Sequence, residues 1–106
     1  QAILRDLAKH EAIHRDFFRA AITAAAGAPA LIPDLTVDFS SVNFGSKASV
    51  LATALTFEDL GVSAYNGAGR YISNDAYLTI AGKIVSVEAR HASVIAGLIT
   101  ANSIAG

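Results

Sequence analysis

The sequence predicts an all-α fold built from three long helices. Three observations carry that expectation. The segments Ala2–Ala26, Lys47–Tyr71 and Ala76–Ala101 each repeat apolar residues in alternating three- and four-residue steps, the signature of one buried helical face. Helix-stopping or helix-starting residues separate them: Gly27 and Pro29 after the first, Ser46 before the second, Ser73-Asn74-Asp75 before the third. A Glu-x-x-His pair also recurs, at Glu11–His14 and Glu88–His91, and residues three apart share a helical face.

The first segment is rich in alanine, leucine and arginine, which favour helix. Its seam runs Leu4, Leu7, Glu11, His14, Phe18, Ala21 and Ala25, with Arg5, Asp6, Lys9, Asp16 and Arg19 mostly off it. From Ala28 to Gly45 the chain holds Pro29, Pro33 and scattered apolar residues, Leu35, Val37, Phe39 and Phe44 among them. A connection that long is uncommon without a structural job, and it reads as an ordered crossover joining helices that run in the same direction. The second helix has the seam Leu51, Leu55 (or Ala54), Glu58, Val62, Tyr65 and Ile72; Gly61, Gly67 and Gly69 predict close packing or a bend. In the third, the seam is Tyr77, Ala81, Ile84, Glu88, His91, Ile95 and Leu98. Its β-branched residues would also suit a strand over Leu78–Val87, but the three-and-four spacing around Glu88 favours helix.

Composition narrows the function classes. The 106 residues make one small domain, or part of one. Net charge is −1 without a run of like charge, so neither nucleic acid nor an anionic membrane surface is an expected partner. No cysteine is present, which removes disulfides and thiolate metal sites. Charged residues are 16% and apolar ones 53%; between Ala48 and Gly69 only Glu58 and Asp59 are charged. A helix so apolar needs cover on most sides, which implies a partner chain or a further element. No segment reads as a membrane span, because Lys83, Glu88, Arg90 and His91 interrupt the longest apolar stretch. The chain opens at Gln1, inside a helical pattern, which reads as a processed or truncated product.

A carboxylate and an imidazole on a core-facing seam are costly to bury unless something satisfies them. One such pair is most simply solvated, or ion-paired with Arg90, Arg15 or Lys9. Two copies, with Glu58 on the seam between them, point to metal: Glu11, His14, Glu58, Glu88 and His91 as ligands of a carboxylate-bridged iron or manganese pair. His10-Glu11-Ala12-Ile13-His14 also matches the zinc-protease His-Glu-x-x-His, but the seam leaves His10 aside and the second copy has Val87 there. Tyr65 lies on the Glu58 seam, where a satisfied core tyrosine is the simpler reading than a ligand-bonding or redox-active one. No strand precedes Gly61, Gly67 and Gly69, so a phosphate-binding loop is not expected.

Three blocks stand together: His10-Glu-Ala-Ile-His14, Phe57-Glu-Asp-Leu-Gly-Val-Ser-Ala-Tyr-Asn-Gly-Ala68 and Ile84-Val-Ser-Val-Glu-Ala-Arg-His-Ala92. They resemble the ferritin-like domain of the desiccation-related protein family, over essentially the whole chain. The resemblance implies a four-helix bundle lacking its first helix, with residues 1–106 as a single partial domain. The crossover would then join its second and third helices. It also implies a di-metal site of iron or manganese, oxidative or stress-protective activity, and location in the periplasm or outside the cell. The missing helix, with its glutamate, would come from a further segment or from another subunit of a homo-oligomer. The alternative is a non-catalytic protective module that assembles through apolar helix faces.

Overall fold

The computed structural model describes residues 2–105. Among them the chain forms α1 (Ala2–Ala26), α2 (Lys47–Gly69) and α3 (Asp75–Ala105), a 3₁₀ turn over Ala28–Ala30, and no strand. The all-α expectation holds, including over the β-branched stretch 78–87. The chain divides into two compact units, one reaching Asp38 and the other starting at Phe39.

The first unit is α1 and the chain that follows it. Leu4, Leu7, His14, Phe18 and Ala21 are part-buried, as the seam requires, whereas Glu11 and Ala25 stand exposed. Gly27 ends the helix at φ 81°, a left-handed conformation that a side chain would strain. Its N–H still donates to the Thr23 carbonyl at 2.9 Å, closing the last turn. Pro29 then sits in the 3₁₀ turn, where its fixed φ is tolerated. Beyond it, Asp34 accepts from Arg19 Nη1 at 2.7 Å and holds the outgoing chain to α1. Both side chains are half-exposed or more, so this pair fixes a path and contributes little stability.

The second unit is an α2–α3 hairpin with an ordered lead-in. Phe39 packs edge-on against Phe44, at 6.2 Å between ring centroids, and against Phe57 of α2 at 6.3 Å. Asn43 turns the chain into α2: its Oδ1 accepts from Gly45 N–H at 2.9 Å, and its own N–H donates to Ser49 Oγ. A Cβ at Gly45 would approach that Oδ1 to 3.2 Å, which explains a glycine there. Ser46 caps α2 by accepting from Ser49 N–H, and Asn74 Oδ1 accepts from Tyr77 N–H at 3.0 Å to open α3. The second half of the long connection is thus ordered by its own ring contacts and hydrogen bonds.

Five residues join α2 to α3, short enough only for antiparallel neighbours. As α2 is followed back from Gly69 to Glu58, its neighbour on α3 moves forward from Leu78 to His91. Among the described residues Leu51, Ile84, Ala92 and Ile95 are the buried apolar ones, all on the expected seams or beside them. Tyr77 is the exception: it is 51% exposed, because α2 has ended by the first turn of α3. By length and composition Asp75–Ile104 could cross a membrane, but a helix packed in a core passes the same test. Lys83, Glu88, Arg90 and His91 break its apolar run.

Leu51 and Ile95 are each 1% exposed, so truncating either leaves a cavity. L51A and I95A are each expected to lower unfolding free energy by about 2–5 kcal/mol. I13A, at a 64% exposed position, should change it by no more than about 0.5 kcal/mol. Urea denaturation followed by circular dichroism checks both.

Candidate metal centre

The hairpin buries one layer of ionisable groups between two apolar ones. Ile84 lies one helical turn before Glu88, and Ile95 one turn after His91, on the same stripe of α3. Leu51 lies two turns before Glu58 on α2. Between them, the side chains of His91, Glu88 and Glu58 are 5%, 6% and 14% exposed. The three-residue step sets Glu88 beside His91, and the antiparallel register sets Glu58 opposite them.

His91 Nδ1 is 3.4 Å from Glu58 Oε1 and 3.4 Å from Glu88 Oε2. A charge-assisted hydrogen bond prefers about 2.7–2.9 Å, so both separations are long for that purpose. They do fit donors around a common ion. Two ligands at ~2.1 Å from a metal lie ~3.0 Å apart at a right angle and ~3.4 Å apart at the tetrahedral angle. One ligand atom from each of Glu58, Glu88 and His91 falls within 4.8 Å of the others. Two carboxylates and one imidazole, even a protonated one, sum to a net negative charge in a buried layer. Such a layer needs a compensating proton or cation.

The first copy of the motif repeats the local geometry in a more open setting. On α1, His14 Nδ1 again faces the glutamate three residues before it, at 3.8 Å from Glu11 Oε1. The His14 side chain is 15% exposed and that of Glu11 47%. His10 is exposed, in keeping with its place off the seam. The structure therefore brings Glu58, Glu88 and His91 together within the hairpin, and pairs Glu11 with His14 within α1. Tyr65 is part-buried on the α2 stripe, as expected.

The cations nearest the two pairs in sequence also have partners. Arg90 donates to the Ser86 carbonyl and Ser86 Oγ, both at 3.1 Å. Arg15 pairs with Asp16 at 2.8 Å, and Lys9 with Asp6 at 3.4 Å. Removing the imidazole from the hairpin layer would leave two buried carboxylates facing each other. H91A in the presence of a chelator is expected to cost about 3–5 kcal/mol, the range for breaking a buried ion pair. E11A, at a half-exposed position, should cost about 0.5 kcal/mol or less. Equilibrium urea unfolding of both variants in EDTA distinguishes the two environments.

A helical hairpin that carries Glu-x-x-His on one helix and a facing glutamate on the other has the donor types that half of a bundle-type metal centre uses. No curated protein and no solved structure matches the chain significantly. The chain belongs to the ferritin-like domain family, whose sequence profile matches residues 1–101.

Proposed function

We propose that this protein is a metal-binding ferritin-like protein in which Glu11, His14, Glu58, Glu88 and His91 hold a pair of iron or manganese ions. The buried layer of Glu58, Glu88 and His91, with donor separations suited to a common ion, is the observation that carries the reading. Family membership and the second Glu-x-x-His, with the same imidazole nitrogen turned to its glutamate, support the extension to α1. Mixed oxygen and nitrogen donors without sulfur suit iron and manganese. Bound there, such ions would supply redox chemistry toward oxygen or peroxide.

The chain's own residues would do the rest. Glu88 and His91, fixed one turn from Ile84 and Ile95, would hold their donors in place without further ordering. The apolar layers would keep bulk water from the carboxylates and strengthen their attraction to a cation. A desiccation-related, stress-protective role accords with the sequence blocks around Glu11, Glu58 and Glu88. In the same reading a further helix, from this protein or a second copy, completes a four-helix bundle.

Metal analysis tests this directly. Protein purified at neutral pH and loaded with iron or manganese should retain the ion through gel filtration, and E88A should not. Loading should also raise unfolding free energy by about 2.7 kcal/mol at a free-ion concentration of 100 times Kd. Wild-type protein that retains neither ion would sink the proposal.

One observation favours a second reading. Phe44, Phe57, Leu60 and Tyr71 are 70%, 51%, 63% and 73% exposed, a large apolar presence for so small a unit. A protective module that assembles through such faces, without metal, would account for it. Light scattering on E11Q/E88Q separates the readings: assembly and stability unchanged from wild type, with no metal taken up by either protein, supports the module.

A further inference from the structure

We infer that two copies of this chain associate through α2, whose exposed stripe Phe57, Leu60, Ala64, Gly67 and Tyr71 pairs antiparallel with the same stripe of the partner. The inference does not depend on metal binding, and it gives the assembly reading above a partner and a register. The five residues follow steps of three, four, three and four, so they form one line along the helix. Tyr71 stays on that line because its N–H donates to the Ala68 carbonyl at 2.9 Å in the turn that ends α2. All five are exposed, and the line is separate from the seam of Leu51, Glu58 and Tyr65. None of them carries a charge; Asp59 and Arg70 lie to one side. Near Phe57, Phe39 stacks against both Phe57 and Phe44, with ring centroids 6.3 and 6.2 Å apart, which extends the apolar surface within the same unit.

The order of side-chain sizes identifies the partner. From Phe57 to Gly67 the stripe runs large, large, small, small, so its own reverse sets large against small at each step. With a two-fold axis at the level of Val62, Phe57 faces the partner's Gly67 and Leu60 faces the partner's Ala64. The reciprocal pairs follow by symmetry, and the contact closes at two copies. A Cβ built on Gly67 meets nothing within 4 Å, which leaves room there for a ring from outside. Phe44, Phe57 and Tyr71 are 70%, 51% and 73% exposed, so about 300–500 Å² of their surface per copy remains in water. With Leu60, two copies can bury on the order of 1,000 Å², the lower end for specific association, which corresponds to a weak, micromolar dimer. A net charge of −1 puts little repulsion between copies.

Sedimentation equilibrium of the full chain in EDTA, at concentrations up to about 100 μM, tests this. Far-UV circular dichroism monitors folding. Wild type should show a monomer–dimer equilibrium. G67L fills the space meant for the partner's Phe57, so it should weaken the dimer ~10-fold or more although it adds apolar surface and favours helix. G82L makes the same change at another exposed helical glycine with nothing within 4 Å of its Cβ, and should move Kd by less than about threefold. A64L replaces G67L should the latter lose helix content, with the same expectation. A wild type that stays monomeric, or that forms species larger than a dimer, overturns the inference. Dimers that G67L leaves unchanged or tightens also overturn it, while the assembly reading stands. With EDTA present, none of these results bears on Glu58, Glu88 and His91 as ligands, which metal retention by the same preparation reports separately.

Discussion

Everything in the hairpin depends on one constraint: three ionisable side chains occupy the middle of an interface only two helices wide. Glu58, Glu88 and His91 sit where the seams of α2 and α3 would otherwise hold leucine or isoleucine. Buried carboxylates without compensation would force the helices apart or draw water between them. The antiparallel register, the five-residue turn and the flanking isoleucines are all compatible with an arrangement that keeps those groups dry and close. Replacing such a layer with hydrophobic residues is often neutral or stabilising in other proteins. A polar layer in so small a core is therefore poorly explained by stability; the proposed binding role would account for it.

Much of this was legible in the sequence. The three-and-four spacing located all three helices, and Gly27, Ser46 and Asn74 do the terminating and capping their residue types suggested. Leu51, Ile84, Glu88, His91 and Ile95 are buried as their seams required. The β-branched run over 78–87 is helical because one of its faces packs on α2, a tertiary effect that outweighs weak local propensity. The third helix runs to Ala105, beyond the Ala101 that the pattern suggested. Ser103 there satisfies its hydroxyl on the Thr100 carbonyl of its own helix, so polar residues do not break it.

Spacing could not tell the two Glu-x-x-His copies apart. It fixes which residues share a helical face, and both copies obey it, down to the imidazole nitrogen that faces the glutamate. What lies opposite the face is set by the fold. Across from Glu88 and His91 runs a helix carrying Glu58, and the layer is buried; Glu11 stays half-exposed. The same limit explains Tyr77, whose position on the seam is right but whose partner helix has already ended.

The apolar residues left exposed bear on the same point. Phe57 and Leu60 lie near Glu58 in sequence yet are exposed, so α2 offers one face to α3 and a largely apolar one, broken by the exposed Asp59, to its surroundings. A two-helix unit with so few buried apolar residues has a small margin of stability, and any ion held between its helices adds its binding free energy to folding. Under the proposed metal binding, occupancy and the integrity of the hairpin would be one equilibrium, and losing an ion from Glu58, Glu88 and His91 would loosen the interface that positions them.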